Sequence, residues 1–293
     1  MESALRIARW EGQQGAYFGV GALVASYIVG PGHSGKVFAI VMAGLTIATI
    51  FGSPLATFLG QNLGWRETYI AVACFAGFAF LSISLWVPRT EALNGSPVMQ
   101  ELIALRKPSV WGVILVASVG VASIFAVYTF IGPFVTDAAR LNPGMIPIAL
   151  ALFGLGMTAG NLLGGGIADN DPVQGVMIGF GCALLVLAVL AIGGANVWIL
   201  LPAMFGVGVT MMTAIPTIQV RLTRFAPEAP SLMGAMNLAA LNVANAIGAW
   251  AGGLAIGAGL GLLSAVWAGF SLTLAGLIIY GLTLLTGKRL APA

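Results

Sequence analysis

Long apolar runs with brief polar punctuation make up most of this chain. Nine of them approach the roughly 20 residues that a helix needs to cross a bilayer. They lie near 12–30, 37–61, 67–87, 109–135, 144–168, 173–193, 196–219, 232–256 and 264–286. The uncharged stretches 173–220 and 229–287 are each too long for one crossing. They are split where turn chemistry is available: at Gly193, Gly194, Ala195 and Asn196, and at Gly257, Gly259 and Gly261. One extended polar connection, 88–107, holds Arg89, Glu91, Asn94, Gly95, Pro97, Glu101, Arg106 and Lys107. Within it, MQELIALRK has the pattern of a short amphipathic helix lying along the membrane interface. The predicted fold is all-α and polytopic: residues 1–88 with three spans, a linker at 89–108, and a six-helix bundle at 109–293.

Composition agrees with that layout. Only 7% of the residues are charged and 59% are hydrophobic, against about 25% charged in a soluble domain, so the chain belongs in a lipid bilayer. The net charge of +3 reports topology rather than a nucleic-acid partner. With the carboxy terminus inside, the cytoplasmic segments hold Lys36, Arg89, Arg106, Lys107, Arg221, Arg224, Lys288 and Arg289. The other side holds Arg66 and Arg140, plus Arg6 and Arg9, which conflict with the rule at the first span only. The first fourteen residues do not end in a small-residue cleavage site and are not read as a signal peptide.

Little covalent chemistry can be assembled. His33 is the only histidine, and Cys74 and Cys182 fall inside apolar runs as small filler. No metal or cofactor site is expected, and no phosphate-binding glycine loop with a following lysine is present. An enzyme and an ATP-driven pump are therefore both disfavoured.

The segment 44–66, GLTIATIFGSPLATFLGQNLGWR, is the most patterned. Gly44, Ala48, Gly52 and Ala56 recur every four positions, the spacing at which small residues let membrane helices approach closely. Pro54 falls mid-run. Laying 240–253 over 44–57 matches Leu45 with Leu241, Ala48 with Ala244 and Gly52 with Gly248. It also sets Thr46 and Thr49 on Asn242 and Asn245. Both polar pairs are three apart, hence on one helix face. Both runs start from the same side, so this is a parallel repeat of the kind that relates two transporter halves.

These residues resemble the major facilitator superfamily, together with GAYFGVGALVA at 15–25, FAVYTFIGPFVT at 125–136 and LALFGLGMTAGNLLGGGIAD at 150–169. Within it they resemble the bacterial efflux permeases grouped with arabinose, purine and chloramphenicol exporters. Gly44, Gly52 and Pro54 match the glycine–proline motif of the fifth helix of its drug–proton antiporters. The resemblance implies twelve helices in two halves, with the nine runs here standing for helices four to twelve. It also implies a multi-pass inner-membrane location, a monomer, and alternating access that moves a small solute with protons. Residues 1–14 do not follow the family pattern. The second-half gating loop is expected at 164–171, where GGGIADND keeps Asp169 without the usual basic residues.

Each candidate carries two readings. Gly44, Gly52 and Pro54 serve tight packing, export direction, or both. Thr46, Thr49, Asn242 and Asn245 either bond between helices or line a solute cavity. Asn161, among Gly156, Gly160 and Gly164, is structural or solute-facing; Tyr128 is a pocket wall or an interface aromatic. Met211, with Met204 and Met212, is an adaptable pocket or filler. Arg66 is a membrane anchor beside Trp65 or a gate partner beside Glu67. Asn237 is expected to be a cap or solvated. No carboxylate falls within a confident span: Glu67, Asp137, Asp169, Asp171 and Glu228 are at ends or in loops, and Glu11 is borderline. The chain is thus expected to be a truncated efflux permease, inactive alone. The alternative is a non-transporting membrane subunit that pairs with another membrane polypeptide.

Overall fold

The computed structural model describes residues 44, 48–86 and 98–289. The run at 12–30, residues 1–14 and Thr46 lie outside the described residues. A wide turn at Ala48–Gly52 leads into α1 (Ser53–Asn62), followed by α2 (Trp65–Trp86) and the short α3 (Val98–Ile103) with a tighter turn at Ala104–Arg106. The remaining helices of seven residues or more are α4 (Pro108–Gly120), α5 (Ala122–Tyr128), α6 (Ile146–Asn170), α7 (Pro172–Gly193), α8 (Val197–Phe225), α9 (Pro230–Gly257) and α10 (Ser264–Arg289). Among the described residues, seven helices are long and apolar enough to cross a membrane, with α4 and α5 counting as one span.

Local chemistry sets the ends. Asp171 alone separates α6 from α7, and its carboxylate accepts from the N–H groups of Val173 and Gln174, two donors that a helix start leaves unsatisfied. Asn196 caps α8 in the same way through Trp198 N–H at 2.9 Å. Gly259 and Gly261, at φ +79° and +84°, make the turn from α9 to α10, a conformation that glycine adopts without steric cost. One expectation changes. The stretch 164–170, expected as a loop, is the helical end of α6, because Asp171 caps the next helix directly. Pro54 lies within a helical run, as expected, at the point where the wide turn Ala48–Gly52 passes without a break into α1.

The spans from α4 to α10 pack into one bundle, and the tightest seam in it joins α6 to α8. A Cβ added to Gly156, Gly160 or Gly164 would run into the backbone carbonyls of Phe205, Val209 and Thr213 in turn. The register advances by four on both helices, so the two run parallel with their backbones touching. Gly208 on α8 returns the contact against Phe153 of α6. The hydroxyl of Thr213 also reaches the Gly160 carbonyl, at 3.3 Å, as well as Val209 O on its own helix, at 2.8 Å. A second close crossing joins α4 to α10, where Gly120 and Gly276 face each other. It sits where α4 gives way to α5, and Thr273 of α10 lies 2.9 Å from Gly120 O and 2.7 Å from the Ser123 hydroxyl.

Outside the bundle, α1 lies along α6, and Gln61 donates to Pro143 O at 3.4 Å. Helix α2 has no buried residue at all. The linker end is clasped to the bundle rather than lying free along the interface. Lys107 pairs with Glu228 at 2.6 Å and donates to Phe225 O at 3.0 Å. Glu101 accepts from Leu232 N–H at the start of α9.

Two outcomes test this packing. Gly160→Ala should lower the thermal midpoint of the detergent-solubilised protein by about 5 °C or more, as overpacking against a rigid backbone does. Gly165→Ala, whose Cβ meets nothing within 4 Å, should leave the midpoint unchanged, and equal effects would contradict the seam. The second outcome concerns the clasp. The hydrogen bond from Lys107 holds the Glu228 carboxyl below its ordinary range. The pair should therefore persist at neutral pH and be lost only as pH falls through and below the ordinary carboxylate range. A spin label at position 102 should become mobile across that step, and Glu228→Gln should raise its mobility already at pH 7.

Candidate functional site

Helix α9 turns one stripe inward: Asn237, Ala240, Ala244, Gly248 and Gly252 are all buried. Gly248 is the anchor, since an added Cβ would strike the Ala122 carbonyl and the Ala126 N–H of α5. At about 100° per residue, Asn245 stands about 60° off Gly248 and Asn242 about 120° off. Asn245 is exposed and Asn242 half-buried. On α6, Asn161 stands about 100° from the Gly160 contact and is half-buried. Among the described residues, none of the three amides has a hydrogen-bond partner. An amide without partners is costly against lipid. These side chains therefore suit a wet or solute-filled space better than a lipid-facing surface.

The other candidates are placed as follows. Tyr128 ends α5, half-buried, with its ring 5.3 Å from that of Phe153. Met211 is fully enclosed and takes a 3.8 Å contact from the Ser123 hydroxyl, so it is core and presents no surface to a solute. Met204 is likewise enclosed. Thr49 lies in the Ala48–Gly52 turn, with its side chain outside the described residues. Gly44 meets nothing within 4 Å and Gly52 only the Ala48 Cβ at 4.0 Å. An added Cβ at either glycine would meet no second helix among the described residues, unlike one at Gly248, the repeat partner of Gly52. Arg66 stacks at 5.0 Å over the Trp65 ring and has no ion pair among the described residues. Asp169 is in the last turn of α6 rather than in a loop. Two shallow grooves, of about 510 and 630 Å³, lie near Trp267 and Trp250 respectively, and none of the candidates lines either.

Arg221, expected as a cytoplasmic loop charge, is helical. It sits inside α8, one turn from its end, and is 8% exposed. Its Nη1 donates to the Tyr280 hydroxyl of α10 at 2.9 Å, and that hydroxyl donates to Val173 O of α7 at 3.1 Å. The guanidinium carbon stands 5.0 Å from the Tyr280 ring and 5.5 Å from the Phe225 ring. A readable signal existed: Thr210, Thr213, Thr217 and Arg221 recur at helical spacing and are all buried, a polar stripe that continues into the charge. Asn237, expected to be a cap or solvated, is buried with its Oδ1 unpaired.

The Major Facilitator Superfamily model matches residues 12–249. The chain belongs to that superfamily. It is similar to the inner membrane transport protein YdhP of Escherichia coli K12, at 35% identity over 89% of this chain and 68% of that protein. It is also similar to the chloramphenicol resistance protein of Streptomyces lividans, at 32% over 90% and 68%. A third relative is the putative transporter AraJ of Escherichia coli K12, at 29% over 84% and 63%.

As a superfamily member the chain is a multi-pass inner-membrane protein of a transporter family. The geometry fits that class: among the described residues, helices are in close backbone contact, few ionisable groups lie within the spans, and some polar side chains within the spans have no protein partner. The amide face can be checked by thiol accessibility in a variant lacking Cys74 and Cys182. Asn245→Cys should react with a water-soluble, membrane-impermeant thiol reagent, whereas Met211→Cys should stay unlabelled. The reverse order would remove α9 from consideration as a solute-facing helix.

Proposed function

We propose that this chain is part of a secondary active exporter of a small solute, worked by alternating access about a site near the membrane midplane and coupled to protons. The observation that carries the reading is the amide face of α9, where Asn242 and Asn245 stand within a span without hydrogen-bond partners among the described residues. Asn161 of α6 is a further contributor. Amides recognise hydroxyl, carbonyl or amide groups on a mostly apolar solute, the chemistry shared by phenicols, purines and pentoses. In this reading the linker and the α8–α9 turn face the cytoplasm, as the positive residues suggest. Gly44, Gly52 and Pro54 favour the export direction, and the transporter works as a monomer.

Coupling does not come from this chain alone in our proposal. Among the described residues no carboxylate is buried within a span. Among the described residues, helix α2 buries no residue, and an added Cβ at Gly44 or Gly52 would meet no second helix. Further helices therefore complete the first bundle and supply the proton-binding acid. The exposure of α2 favours one other reading as well, a non-transporting subunit that docks on another membrane polypeptide.

Inverted membrane vesicles separate the two. Chloramphenicol, a purine and a pentose should be taken up on a proton gradient when the chain is joined to three further upstream spans, and not by the chain alone. Asn245→Ala together with Asn242→Ala should cut that uptake about tenfold, as loss of two buried solute hydrogen bonds does. Gradient-driven uptake by the chain alone would refute the coupling proposal. No uptake in either form, with co-purification of a second membrane polypeptide, would favour the subunit.

A further inference from the structure

Arg221 is a permanent cation, since a guanidinium does not lose its proton in a protein. Of its five N–H donors, one is used, on the Tyr280 hydroxyl. Its Nε is buried without a partner. The only ion pair among the described residues is Lys107–Glu228, so no described carboxylate balances Arg221. Asp171 stands two residues from Val173, but one of its oxygens is taken by the first N–H groups of α7. Two aromatic faces and a neutral phenol are thus what contacts this nine-tenths buried charge, and the Asp171 carboxylate acts on the Tyr280 side of the group without pairing with Arg221.

That arrangement is poor as a finished structural contact and good as a half-built one. A planar guanidinium presents a fork that matches a phosphate or carboxylate bidentately. The Tyr280 hydroxyl beside it supplies a further donor once it turns from the Val173 carbonyl. Arg221 lies four residues before the end of α8, about 6 Å along its axis, a depth close to that of lipid headgroups. Arg224 is exposed on the same last turn, and Lys107 is half-buried on the adjoining linker.

We propose that Arg221 and Tyr280 form an oxyanion site for a phosphate group at the linker end of the bundle, distinct from the amide face of α9. Two sources offer that chemistry: a phosphodiester headgroup of an anionic lipid, and a free phosphate from the aqueous side. When occupied, the site would fasten the ends of α8 and α10 and the start of α7 around one anion.

The test uses the full chain purified in a maltoside detergent, which contains no phosphate. Phosphatidylglycerol, or inorganic phosphate against chloride at equal ionic strength, is added, and the thermal midpoint and adducts in native mass spectrometry are read. A raised midpoint with one retained adduct supports the site, and the probe that produces it identifies the source. Arg221→Met should abolish the response, and Arg224→Met should keep it. Because the methionine variant risks misfolding, Arg221→Lys is the second arm. It keeps the charge without the fork and should weaken apparent affinity about tenfold. No response to either probe would overturn the proposal. So would an unchanged response in Arg221→Lys, or a higher midpoint for Arg221→Met than for the native chain without any oxyanion.

Discussion

Backbone-to-backbone contact between α6 and α8 is the constraint on which the bundle depends. In lipid there is no hydrophobic gain from bringing two apolar helices together, so adhesion comes from dispersion at short range and from interhelical hydrogen bonds. Gly156, Gly160 and Gly164 remove the side chains that would hold the helices apart, and the carbonyls of Phe205, Val209 and Thr213 fill the space. Once that seam is closed, the other positions on both helices are assigned. Met204 and Met211 must face the core, and Asn161 is carried round to the side. The amide face of α9 is set in a similar way by Gly248 against α5.

The spans were legible because the bilayer makes them so. Every backbone polar group in hydrocarbon must be satisfied internally, so a crossing element shows as an uninterrupted apolar run. Breaks at Asn196 and at Gly259 and Gly261 could be placed by turn chemistry, and the structure has its turns there. The loop at 164–170 was misplaced because glycine-rich sequence is ambiguous. The same residues that break a soluble helix let a membrane helix approach its neighbour. Without the partner strand of carbonyls in view, the two uses look alike.

The site was less legible than the fold. Asn242 and Asn245 stood out as amides in an apolar run, but which face they occupy follows from Gly248, whose partner lies more than a hundred residues earlier. Met211 was ambiguous for the same reason, since hydrophobic character does not separate a pocket wall from a core. Arg221 was lost to a sound general rule: arginines near span ends are counted as loop charges. The helix continues to Phe225, and the buried threonines above Arg221 mark the face on which it enters the protein.

One small feature bears on how such a bundle moves. A single residue, Asp171, joins α6 to α7, and its side chain is committed to the first N–H groups of α7. The joint therefore has no slack to absorb displacement. Helix α6 touches α1 on one side and α8 on another, so the corner at Asp171 ties α7 directly to a helix that already has neighbours on two sides. Mechanically, α6 and α7 form one bent element whose corner is held by a single capping side chain.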